Sequence, residues 1–195
     1  MGHTKLLLPV GDKPVIARCI ETFFKAGVGE IIVVTRMDGG DIRDAIAKYP
    51  VNNVINPLPR SDMAGSVRAG LAAAKKDGGG IFVAPADYPL VTPKTIIAMD
   101  WEFQANPGIV IPRCWGFRGH PVLFPRKRLD EIFDVPILRN IIARHPEEIR
   151  YIDVCDEGTI LDMDTPEDYQ RILRRYYSAQ KAGWRPSTCE DGVFL

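Results

Sequence analysis

Apolar positions along the chain switch repeatedly between two periods. Over residues 14–26, Ile16, Ile20, Phe23 and Phe24 recur at helical spacing on one face, and Gly27 follows as a stop. Residues 30–35 instead carry the continuous run Ile31-Ile32-Val33-Val34, which marks a strand covered on both faces. The alternation then continues to residue 177. Helices are predicted over 41–48, 63–76, from Thr92-Pro93 onward, and over 126–133, 137–144 and 166–177. Strands are predicted over 51–55, 81–84, 108–111, 121–124 and 149–154. Short strands alternating with helices imply right-handed crossovers and a doubly wound, mostly parallel α/β sheet. Ligands of such sheets bind beyond the carboxyl ends of the strands. Residues 178–195 lose the periodicity and read as an irregular tail, which leaves 1–177 as one domain.

Composition narrows the picture. A chain of 195 residues with 46% hydrophobic and 26% charged residues is an ordinary soluble domain, long enough to bury a core. A formal net charge of zero gives no broad basic footprint, so neither nucleic acid nor an anionic membrane is an expected partner. No apolar run reaches membrane-spanning length, and the one in Leu6-Leu7-Leu8-Pro9 is too short for a signal peptide. A cytoplasmic location is expected. Cys19, Cys114, Cys155 and Cys189 are far apart and form no Cys-x-x-Cys pair, so reduced thiols are expected, with no zinc site and no disulfide framework.

Several residues could carry chemistry. In Leu161-Asp162-Met163-Asp164-Thr165-Pro166-Glu167-Asp168, two carboxylates stand two apart at an expected strand end, on one face. Like charges so placed call for a cation, and a hard ion such as Mg²⁺ favours such oxygens. The plainer alternative is that Asp164 or Thr165 only caps the helix that starts at Pro166. Asp87 follows an apolar strand, where it could bind metal or simply bond its own turn. Lys5 could neutralise a triphosphate or lie solvated on the surface. Ser66 and Arg68 open a small-residue helix whose free N–H groups could meet an anion, although close packing explains small residues equally well. Arg118-Gly119-His120-Pro121, with Arg113 upstream, forms a compact loop before a strand; a lone histidine there is more often structural. His3 and His145 lack such a setting.

Taken together these segments resemble a known family. Lys5-Leu6-Leu7-Leu8-Pro9, Gly65-Ser66-Val67-Arg68-Ala69-Gly70-Leu71, Ala86-Asp87-Tyr88-Pro89-Leu90-Val91, Gly119-His120-Pro121 and Asp162 to Asp168 occur in the order found in MobA-like nucleotidyltransferases. Lys5-Leu6-Leu7-Leu8-Pro9 and the Gly-His-Pro loop lean to the molybdenum-cofactor cytidylyltransferase (MocA-like) branch over the guanylyl branch. The resemblance implies a Rossmann-like three-layer sandwich of the nucleotide-diphospho-sugar transferase type. It implies transfer of a cytidylyl group from CTP to molybdopterin cofactor, with release of pyrophosphate. In that reading Mg²⁺ is held by Asp87 and by Asp164 with Asp162 assisting, and Lys5 neutralises the triphosphate. Ser66 and Arg68 hold the nucleotide with Lys5 and Asp87. Arg113, Arg118, Gly119 and His120 face a phosphorylated acceptor. A molybdoenzyme or its chaperone is a further candidate partner. Two alternatives remain open: a non-catalytic binder of the molybdenum cofactor or a nucleotide, and transfer from another NTP to another acceptor such as a sugar phosphate.

One departure from the family pattern matters. The family opens with an apolar strand and a loop of the form Ala-Gly-x-Ser-x-Arg-Met-Gly, and Met1-Gly2 matches only its end. The first strand is therefore expected to be absent from the sheet, leaving exposed edges and a tendency to associate. An in-frame upstream segment supplying the strand and loop is expected, with a degraded homologue as the other explanation.

Overall fold

The computed structural model describes residues 3–58, 62–75 and 79–181. It opens with a 3-10 helix, His3–Leu7, and a small antiparallel hairpin of β1 (Pro9–Val10) and β2 (Lys13–Pro14). Gly11 turns this hairpin at φ +66°, and the Tyr176 ring lies so close that any added Cβ would meet it. Helix α1 (Val15–Lys25) buries Ile16 and Ile20 as its spacing predicts. There follow β3 (Ile32–Arg36), α2 (Gly40–Ile46), β4 (Asn52–Asn56), α3 (Met63–Ala73), β5 (Gly80–Val83) and α4 (Pro93–Ala105). The second half holds β6 (Ile109–Cys114), β7 (Phe117–Arg118), β8 (Val122–Pro125), α5 (Arg126–Leu129), α6 (Leu138–Arg144), β9 (Ile149–Asp153) and α7 (Pro166–Lys181).

The Rossmann-like α/β sandwich is as expected, but its sheet is mixed. β3 pairs with β4 and β6 with β9 in parallel, whereas β8 runs antiparallel to both β5 and β6. The connections explain this: β6 reaches β8 through the tight β7 hairpin, which reverses the chain, so no helical crossover restores its direction. Alternation along β6 and β8 then splits the core. Ile109, Ile111, Val122 and Phe124 face α3, α5 and α6, while Val110 and Leu123 face Met99 and Phe103 of α4.

Among the described residues, the ladder breaks between β3 and β5: β3 bonds only β4, and β5 bonds only β8. The same helices cover both pieces. α3 packs against β3 and β4, and its Ala64, Val67 and Leu71 also join Ile81 and Val83 of β5. On the opposite side, Ile16 and Ile20 of α1 cluster with Val33, and Phe23 meets Phe82 edge-on at 5.7 Å.

Smaller differences from the sequence reading have local causes. The expected helix over 126–133 tightens into a 3-10 turn, Asp130–Phe133. The last helix continues to Lys181, four residues into the expected tail, and residues 182–195 lie outside the described residues, as does Lys76 at the end of the helix expected over 63–76. Cys19 and Cys114 are free, but Cys155 is disulfide-bonded, against the expectation of four reduced thiols. No described helix is long and apolar enough to cross a membrane.

Candidate active site

Lys5 joins three distant segments. Its ammonium donates to Asp87 Oδ2 at 2.7 Å and to Asp164 Oδ1 at 2.8 Å, across 82 and 159 residues of sequence. The side chain reaches there because Leu6 and Leu7, its neighbours in the 3-10 turn, pack on Ile16, Ile20, Val33 and Ala86. Asp87 lies in the turn after β5. Asp164 lies on an extended segment that is not the strand end the sequence suggests, because residues 161–164 find no ladder partner. Alternation survives there all the same: Met163 is fully buried, and the acids on either side of it point outward.

The cluster is strongly anionic. Burial pushes the Asp162 carboxyl above its ordinary range, and the charges of Asp164, Asp168 and Asp87 push it further. Burial, and then the charges of Asp162, Asp87 and Asp164, push the Tyr88 phenol up to about 12, so it remains a donor. Burial would lower the Lys5 ammonium, but its bonds to Asp164 and Asp87 outweigh this and raise it. Among the described residues, two buried side-chain atoms have no hydrogen-bond partner, Asp87 Oδ1 and His120 Nδ1. A desolvated, unpartnered carboxylate oxygen beside a second and third acid is the donor set a hard divalent cation takes. The His120 ring lies 5.1 Å from Tyr88, and burial lowers its pKa despite Asp87 and Asp162, so it rests neutral.

Three devices hold these pieces in place. Thr165 and Asp168 exchange reciprocal bonds at the start of α7: Asp168 N–H donates to Thr165 Oγ1, and Thr165 N–H and Oγ1 donate to Asp168. The capping function considered for Asp164 or Thr165 thus falls to Thr165, which leaves Asp164 for Lys5. Asp156, buried, accepts from the Thr92 amide and hydroxyl, the Thr95 hydroxyl and the Gly158 amide, tying the start of α4 to the 3-10 turn Glu157–Thr159. Gly119 then presses against that turn, where an added Cβ would lie 2.6 Å from the Thr159 carbonyl oxygen. The His120 amide donates to the same oxygen at 2.8 Å.

Not every expected residue joins the cluster. Arg68 gives its guanidinium to the carbonyls of Ile132, Val135 and Pro136, so it ties α3 to the 3-10 turn Asp130–Phe133 and the loop after it, and has little left for a nucleotide. Arg113 grips Asp153 with two bonds, at 3.0 and 2.9 Å, and stacks on Tyr151, which turns it away from an acceptor. Ser66 sits in the first turn of α3, with a long contact to Asn56. Arg118, paired in register with Arg113 across the β6–β7 hairpin, also stacks on Tyr151 and lines a cavity next to Tyr88. Sequence reasoning passed over Tyr88 and Asp156. Position beside Asp87 was a signal for the first; none marked the second.

The chain is 26% identical over 178 residues to the molybdenum cofactor cytidylyltransferase of Escherichia coli (strain K12), covering 90% of each. It is 27% identical over 169 residues to a probable molybdenum cofactor guanylyltransferase of Bacillus velezensis, covering 80% of each. Its fold matches the crystal structure of Rv0371C from Mycobacterium tuberculosis H37Rv in complex with manganese, with a TM-score of 0.73 at 24% identity over 89% of this chain and 93% of that one. Residues 1–149 match the MobA-like NTP transferase domain, and the chain therefore belongs to that family and is a nucleotidyltransferase.

Proposed function

We propose that the chain transfers a cytidylyl group from CTP to the phosphate of molybdopterin cofactor. An oxygen of the acceptor phosphate attacks the α-phosphorus of CTP, the bond from that phosphorus to the bridging oxygen breaks, and pyrophosphate leaves. The reading is carried by one observation: the Lys5 ammonium shared between Asp87 and Asp164, beside the unpartnered Asp87 Oδ1. A divalent cation, Mg²⁺ in this reading, would be held by Asp87 and Asp164 with Asp162 and would neutralise the phosphates. Lys5 supplies a positive charge for the leaving pyrophosphate and keeps the two acids in register. Ser66 offers a hydroxyl to the nucleotide from the start of α3. Gly119 and His120 face the acceptor. Neutral His120 can accept a proton or a hydrogen bond at Nδ1.

The preference for CTP follows the Escherichia coli relative and the Lys5–Pro9 and Gly119–Pro121 segments. Turnover should be measured with molybdopterin cofactor and CTP, GTP or ATP at equal concentration. Faster turnover with GTP would assign the chain to the guanylyl activity named for the Bacillus relative.

A further inference from the structure

Asp156 holds more of the site than the start of α4. Its carboxylate is buried, and a carboxylate has lone pairs for several donors. Oδ2 accepts the Thr92 amide, the Thr92 hydroxyl and the Thr95 hydroxyl at 2.8, 2.9 and 2.6 Å. Oδ1 accepts the Gly158 amide at 3.0 Å. Its backbone carbonyl takes two more bonds, from the amide and hydroxyl of Thr159. One residue therefore shapes the turn Glu157–Thr159 and pins it to α4.

That turn is wedged between two sides of the site. On one side Gly158 lies against the backbone of Leu90 and Val91, so close that any added Cβ would overlap the Leu90 carbonyl. Leu90 is three residues after Asp87. On the other side Thr159, fully buried, gives its carbonyl to the His120 amide and backs onto Gly119. The two loops are tied unequally. The Asp87 loop has anchors of its own: Cys19 Sγ donates to the Ala86 carbonyl, Thr22 Oγ1 to that of Val91, and Lys5 to Asp87 itself. In the His120 loop the Gly119 amide bonds Pro112, within the same hairpin, and the His120 amide bonds Thr159. The backbone of that loop is thus tied to the Asp87 side through the turn that Asp156 shapes.

We propose that Asp156 is a positioning residue for the transfer. Through the turn it sets the separation of the His120 loop from the Asp87 loop, and so of the acceptor from the metal and nucleotide. The inference rests on the functions proposed above for those two loops. An attacking oxygen displaced by ~1 Å loses about a hundredfold in rate. Loss of the Asp156 bonds should therefore lower kcat and raise KM for the acceptor, and spare nucleotide binding, because the Asp87 loop keeps its own anchors.

Steady-state kinetics with CTP, Mg²⁺ and molybdopterin cofactor tests this, together with hydrogen exchange of the His120 amide in the full chain. Asp156→Asn keeps the volume but turns an N–H toward one of the donors, whichever way the amide faces. It should lower kcat by about tenfold to a hundredfold, leave the Kd of CTP with Mg²⁺ within about twofold, and speed exchange of the His120 amide. Thr95→Val, which removes a single donor, should lower kcat by less, and Thr95→Ser, which keeps the hydroxyl, should retain the wild-type rate. Ile141→Ala, fully buried in α6, is the control for lost stability and should keep kcat. Should Asp156→Asn not fold, Thr95→Val against Thr95→Ser carries the same test. Unchanged kcat in Asp156→Asn overturns the proposal, as does a loss of kcat that tracks stability across all the variants, Ile141→Ala included. A wild type with no turnover counts against the functions proposed for the two loops; unchanged exchange of the His120 amide in Asp156→Asn counts against Asp156, with or without turnover.

Discussion

The two sides of the sheet are built from similar sequence and end in different states. In β6 and β8 the apolar run is sealed: Ile109 and Val110 are 0% exposed, and Leu123 and Phe124 are 1%. In β3 and β5 the runs Ile32-Val33-Val34 and Ile81-Phe82-Val83 are as apolar, yet all six residues are only half-buried. Helices cover both regions, so packing from above and below is not the difference. The difference is lateral: β6 is flanked by β8 and β9, whereas β3 and β5 each lack a described neighbour on one side. Burial of a strand depends on its neighbours as much as on its own side chains. The site grows from the open side: Asp87 follows β5, and Leu6 and Leu7 anchor Lys5 to α1 and β3. Asp164 reaches it from the segment before α7. The Lys5 ammonium joins both acids there.

The largest effect should come from the sealed side. Ile111→Ala, which empties a site 3% exposed, should cost about 2–5 kcal/mol in denaturant unfolding. Ile32→Ala, half-buried on the open side, should cost about 1–2 kcal/mol. Equal losses would break the comparison. Gly119→Ala should come next, at about 1–3 kcal/mol, because its Cβ meets the Thr159 carbonyl. It should also shift His120 and lower turnover, which steady-state kinetics would show alongside the unfolding curve.

Hydrogen exchange sharpens the contrast without mutation. Backbone amides on the edges of β3 and β5 that lack a partner among the described residues should exchange faster than those of β6 and β8, and these edges should favour association at high concentration by sedimentation. Uniform protection across all four strands would remove the distinction.

The smallest effect is electrostatic. Glu131 is held below its ordinary range by its bond to His145 and then by Arg128, and Glu148 by its bond to Arg128. For a carboxylate with a lowered folded pKa, the stabilisation is present above about 4.5 and is lost as pH falls through the lowered value. Melting temperature should therefore drop on acidification below about pH 4.5. Arg128→Met should flatten that slope while changing the neutral-pH melting temperature only slightly.

Much of this was legible in the sequence because local rules held. The β-branched runs became strands, Gly27 closed α1 with φ +83°, and Thr165 with Asp168 capped α7. Asp87, Asp164 and Lys5 could be picked out as chemistry, and the fold brought them into contact. What was hidden depends on distant neighbours. Arg68 and Arg113 looked free, but a guanidinium bonds any suitable oxygen the fold brings near, and they found backbone carbonyls and Asp153. Asp156 sits in a plain acidic stretch, and only its burial against Thr92 and Thr95 gives it a positioning role. The direction of β8 was equally invisible, because the two-residue turn at Trp115-Gly116 breaks the usual preference for Asn-Gly.

The central claim is that Lys5, Asp87 and Asp164 form the metal and nucleotide centre. Calorimetric titration of CTP into wild type, Asp87→Asn and Lys5→Met, each with and without Mg²⁺, tests it most directly. Binding by the wild type should require Mg²⁺, Asp87→Asn should lose that dependence together with the affinity, and Lys5→Met should weaken binding while retaining it. Equal Mg²⁺-dependent affinity in wild type and Asp87→Asn, with both proteins folded, would contradict the account.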